Sequence, residues 1–107
     1  MCKMFAEIDP QFYESQIRSV RLNGHSTSVR LEVLFWNILD EIAREENNTI
    51  GRFLSRLHNE VLHFNGEASN FTSLLRCACL RYIQDKGSSI HYENDIRVIN
   101  LGRRLVN

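Results

Sequence analysis

Polar side chains recur at every second position in Ser26, Ser28 and Arg30, and they differ in what they can bond. A guanidinium is a rigid fork that donates to two acceptors at once, as on guanine O6 and N7, whereas a serine hydroxyl both donates and accepts. Such a row recognises by hydrogen bonding and breaks no covalent bond. Ser19, Arg21 and His25 are additional candidates for the same task. A second group, Thr49, Ile50, Gly51 and Arg52, stands where a helix is expected to start. Free amides at a helix N-terminus attract anions such as phosphate; Gly51 admits close backbone approach, and Arg52 adds a charge-assisted bond. Each group also has a plainer reading: the row as the solvated side of an antiparallel sheet, Thr49 as a cap, Arg52 as a solvated helix residue.

For bond-making chemistry no nucleophile, base or metal set converges by spacing, so no catalytic residue, metal or cofactor is expected. Cys77 and Cys79 stand two apart on a predicted helix and point to nearly opposite sides, which rules out a Cys-x-x-Cys clamp. His58 and His63 are five apart, and His25 and His91 are isolated. An enzyme would instead predict a concave polar pocket. Trp36, beside Phe35, reads as core or dimer packing.

The elements that would position these residues follow from periodicity. Val20 and Leu22 alternate, Asn23-Gly24 follows, and Thr27, Val29 and Leu31 alternate again. Asn-Gly between alternating runs marks a two-residue hairpin turn, because both residues tolerate positive φ. Pairing Leu22 with His25 sets Arg21 against Ser26, Val20 against Thr27, Ser19 against Ser28 and Arg18 against Val29. One face then collects Val20, Leu22, Thr27, Val29 and Leu31, and the other Ser19, Arg21, Ser26, Ser28 and Arg30. Ile17 and Arg18 alone break the segregation.

A first helix is predicted from Glu32 to Glu46 with Leu34, Phe35, Ile38, Leu39 and Ile42 inward, broken by Asn47-Asn48. A second, capped by Thr49, turns Ile50, Phe53, Leu54, Leu57 and Val61 inward and ends before Gly66. A third runs from Phe71 to Gln84, with Asn70 as cap and Gly87 as stop. Residues 1–16 read as an irregular arm with apolar anchors, 17–86 as the folded domain, and 87–107 as a tail that is either a peripheral strand, from the alternation at Ile96 and Val98, or disordered.

A chain of 107 residues, 43% hydrophobic and 24% charged, has one domain's worth of core, and association helps so small a fold cover its apolar surface. Thirteen Lys and Arg against thirteen Asp and Glu give a net charge of +0, so any nucleic-acid contact must come from local charge. The stretch from Ile17 to Leu31 holds Arg18, Arg21 and Arg30 and no acid. Three cysteines, an odd number, read as reduced thiols. No apolar stretch is long enough to span a membrane, and the opening residues lack a signal-peptide pattern, so a cytoplasmic location is expected.

From Ile17 to about Ile83 the chain resembles the bacterial ribbon-helix-helix domain family. The motifs that carry the resemblance are Arg18-Ser19-Val20, Gly24-His25, Thr27-Ser28-Val29-Arg30-Leu31-Glu32 and Phe35-Trp36. Leu39, Ile42-Ala43 and the block from Asn70 to Arg76 extend it. The resemblance implies a mainly α fold with a short antiparallel β-ribbon, dimeric through one strand of each subunit. It implies base contacts from the strand before the first helix, here Ser26, Ser28 and Arg30, and phosphate contacts at the start of the second. Asn47-Asn48 stands where the family usually has a glycine. The strand from Arg18 to Leu22 and the third helix are additions to the minimal fold, and the strand could pair within or between subunits. The expected protein is a sequence-specific transcriptional regulator. Its ribbon would enter the major groove of double-stranded DNA as a homodimer, or as dimers side by side. The alternative is an antitoxin-like interaction module whose ribbon is solvated and whose arm or tail binds a protein partner.

Overall fold

A two-residue turn at Asn23-Gly24 organises the first half of the chain. Both residues have positive φ, 52° and 82°, the combination a type I′ hairpin needs. It joins β1 (Ser15–Leu22) to β2 (His25–Glu32) as an antiparallel pair within one chain. The register runs from Leu22 against His25 to Ser15 against Glu32, as the parity of the sequence predicts. The structure, a computed structural model, describes residues 2–87, and the expected strand at Ile96 and Val98 lies outside them.

The arm is more ordered than expected. Cys2–Ala6 form the short helix α1, and Pro10–Tyr13 form a single 3-10 turn whose start is capped by the Asp9 carboxylate, which accepts from the Gln11 amide at 3.0 Å. Pro10 suits the first position of that turn because its fixed φ is already helical and its missing N–H would have had no partner there. β1 begins at Ser15, two residues before the predicted Ile17.

The hairpin's inner face buries Val20, Leu22, Val29 and Leu31, while Ser19, Arg21, Ser26, Ser28 and Arg30 are exposed. Arg18 lies on the inner face and is half-buried there. Its guanidinium sits 4.6 Å over the Trp36 ring and reaches both oxygens of Asp40 at 3.3 to 3.4 Å. It therefore does not belong to the basic stripe that the sequence suggested. Ile17 takes the outer face opposite Arg30.

Helix α2 (Val33–Glu45) packs on β2, burying Trp36, Leu39, Ile42 and Ala43. This corrects the predicted inner face. Leu34 is 42% exposed and Trp36 fully buried, because the two lie about 200° apart around the helix and only one can face the hairpin. Trp36 also satisfies its indole N–H, which donates to the Gln16 carbonyl at 2.8 Å.

The helix ends at Asn47, whose φ of 54° supplies the left-handed residue usually provided by glycine. The Asn48 amide donates to the Ala43 carbonyl and the Asn47 amide to that of Arg44, the double bond of a Schellman motif. Helix α3 (Ile50–Asn65) starts at Thr49, whose hydroxyl accepts from the Arg52 amide at 3.2 Å. It packs on β1 and α2 through Phe53 and Leu54, and it ends at Gly66 with φ 79°.

The chain divides into two compact units, Met1–Thr72 and Ser73–Asn107. The hairpin, α2 and α3 belong to the first. Residues 71–87 are helical (α4), and within the second unit Leu75 and Cys79, four apart, are fully buried while Cys77 is exposed. Two expectations for α4 are corrected. Asn70 has φ 58°, a left-handed turn into the helix rather than the extended backbone of a cap, and the helix runs past the predicted Gln84 through Gly87, the last described residue.

Candidate nucleic-acid interface

The outer face of the hairpin is a two-column polar surface. Ser26, Ser28 and Arg30 form the β2 column, and Arg21, Ser19 and Ile17 stand opposite them on β1. In a two-residue hairpin the residues flanking the turn form a hydrogen-bonded pair, and bonded pairs then alternate along the ladder. The backbone N–H and C=O groups of Ser26, Ser28 and Arg30 accordingly point away from β1, toward the outer edge of β2, which no other strand among the described residues covers. The strand before α2 thus presents both its side chains and its backbone edge. Neither Arg30 nor Arg52 has an ion-pair partner among the described residues.

The start of α3 contributes a concavity of about 380 Å³ lined by Arg21, Gly24, Thr49, Gly51, Arg52 and Ser55. Among the described residues no carboxylate lines it, and two guanidinium groups do. Of the group expected from sequence, Thr49, Gly51 and Arg52 meet there, while Ile50 is half-buried and takes no part in the lining. Arg21 and Ser55 were not legible as members. Ser55 lies one helical turn beyond Arg52, a spacing that could have signalled it; Arg21 arrives only because α3 packs on β1. Arg21 Nη1 donates to the Gly24 carbonyl at 3.2 Å, which leaves most of its donors to solvent.

His25 is separated from the row Ser26, Ser28 and Arg30. Its register position shares the inner face with Leu22 and Thr27, and it lines a second concavity, about 340 Å³, together with His58 and Phe71. The His58 ring meets Phe71 edge to face at 5.0 Å, and its buried Nδ1 has no hydrogen-bond partner among the described residues. No group of three or more His, Cys, Asp or Glu side chains converges on a metal-sized site among the described residues.

An in-chain ribbon followed by two helices, the second starting beside Arg21 and Gly24 of the hairpin, defines a class of protein, and known proteins agree with it. The sequence profile of the family described as Ribbon-helix-helix domain matches residues 15–83, and the chain belongs to that family. Its members typically bind DNA, as dimers, through a fold that is generally non-catalytic. Among solved structures the chain is similar to an uncharacterized protein from Bordetella pertussis Tohama I. The two share 44% identity over 82% of this chain and 71% of that one, with a TM-score of 0.78. No curated protein matches the chain.

Proposed function

We propose that this protein is a sequence-specific DNA-binding regulator acting in the cytoplasm. Two copies pair antiparallel along the open edge of β2 and place Ser26, Ser28 and Arg30 against base edges in the major groove. The observation that carries the reading is the coincidence on one strand of an open backbone edge and an exposed row of donors, directly before α2. Arg30 is the principal reader, bonding two acceptors of a guanine, and each such contact is worth about 1 to 3 kcal/mol of discrimination. The serines select among bases by donating or accepting. Thr49, Gly51 and Arg52, with the amide of Ile50, hold a backbone phosphate and fix the register of the ribbon.

A gel shift with the chain's own upstream DNA tests the reading. The parent is expected to shift a discrete fragment, and Arg30→Ala to shift it no better than unrelated DNA while remaining folded and dimeric. A folded Arg30→Ala variant that binds as tightly and as selectively as the parent removes the base-reading role. A parent that shifts no DNA leaves the ribbon solvated and points to the interaction-module alternative.

A further inference from the structure

The hairpin lies within one chain, so pairing two copies along β2 produces a sheet of four strands in the order β1, β2, β2, β1 rather than a ribbon of two. Adjacent strands are about 4.8 Å apart, which puts the axes of the two outer strands about 14 Å apart. The major groove is only about 12 Å wide. Both β2 strands fit within it and the two β1 strands do not.

The outer strands must then ride over the walls of the groove, which are the phosphate backbones. On β1 the side chain turned toward the DNA near the turn is Arg21, opposite Ser26, and it is exposed. Its bond to the Gly24 carbonyl uses one nitrogen and leaves the rest of the fork available. Helix α3 packs against this same strand, and Arg21 and Arg52 line one concavity to which no acid among the described residues contributes. At the other end of β1 the outward residue is Ile17, which brings no charge, so the contact is confined to the end near the turn.

We propose that β1 is a rail that straddles the groove: Arg21 binds a DNA backbone phosphate beside the start of α3 and takes no part in reading bases. This rests on the β2-paired, DNA-bound dimer proposed above. It divides the outer face by strand, with specificity on β2 and sequence-independent affinity on β1. The extra strand thereby adds two phosphate contacts per dimer, a gain for a chain whose net charge is +0.

Fluorescence anisotropy on full-length protein separates the two roles, using a DNA site selected from a random pool and a set of single-base variants of it. Arg21→Ala is expected to weaken binding about tenfold on every DNA in the set. It should also make the slope of log affinity against log salt shallower by about 1 to 2, since a dimer of the variant neutralises two fewer phosphates. Arg21→Lys should keep most of that slope. Arg30→Ala, in contrast, should reorder the set. The proposal is overturned if Arg21→Ala changes preference at particular base positions, or if it leaves both affinity and slope unchanged. Because Arg21 is exposed, the variant should fold; a thermal melt matching the parent's establishes that, and Arg21→Gln provides a second neutral variant with the same expectation. Failure of the parent to bind any selected DNA would instead overturn the underlying reading.

Discussion

Arg18 and Arg21 stand three residues apart on one strand and serve opposite faces. Arg18 covers the Trp36 ring and pairs with Asp40, whereas Arg21 is exposed on the outer face. Arg18→Ala should therefore cost stability, about 1 kcal/mol for a partly exposed pair stacked on a ring, and leave the salt dependence of DNA binding unchanged. Chemical denaturation and binding measured on the same variant check both halves. A second residue-level expectation concerns the thiols. Burial pushes the Cys79 thiol up from 9.0 to about 11, while Cys2 and Cys77 are exposed. The folded chain thus holds a proton that the unfolded chain releases above pH 9. The Cys79 contribution to stability is intact below about pH 9 and declines as pH rises toward 11. Urea midpoints across that range should fall in the parent and fall less in Cys79→Ala. A maleimide reagent should label Cys2 and Cys77 rapidly in the folded protein and Cys79 only on unfolding.

At the scale of elements, the joints follow from local chemistry. Asn23-Gly24, Asn47 and Gly66 all hold positive φ, and two of these three joints use asparagine where the backbone turns left-handed. Asn47→Ala should destabilise by about 1 to 2 kcal/mol, because a Cβ without a compensating polar group is strained there, while Asn47→Gly should be neutral or slightly stabilising. Thermal melts of the two variants give the comparison. These joints were legible in the sequence for the same reason, as were the hairpin register and the Thr49 cap, since each depends on residues within a few positions of one another. The inner face of α2 was not. Leu34 and Trp36 are both apolar, and only the hairpin's Gln16 carbonyl and Arg18 decide which of them turns inward. The exposed polar row Ser26, Ser28 and Arg30 was visible as alternation on β2. The concavity at α3 was visible only in part, because Arg21 reaches it through the packing of α3 on β1, a contact between residues far apart in sequence.

The whole molecule carries no net charge, so in the proposed DNA complex long-range attraction would be weak and affinity would depend on where its arginines are held. The fold answers this by turning Arg21, Arg30 and Arg52 outward and neutralising Arg18 against Asp40. No helix among the described residues is long and apolar enough to cross a membrane. The in-chain hairpin lets the chain cover its own inner face with Val20, Leu22, Val29 and Leu31 buried, and the proposed dimer pairs through the outer edge of β2. The proposed pairing would relate the two rows by a twofold axis, so the DNA sequence read by such a dimer should itself be close to palindromic. Selection from a random double-stranded pool, run in parallel with the parent and a folded, dimeric Arg30→Ala variant, tests this most directly. The account predicts that the parent enriches a near-palindromic site containing a guanine in each half, and that Arg30→Ala no longer distinguishes that guanine. Enrichment of nothing by the parent, or of the same site by both proteins, would contradict it.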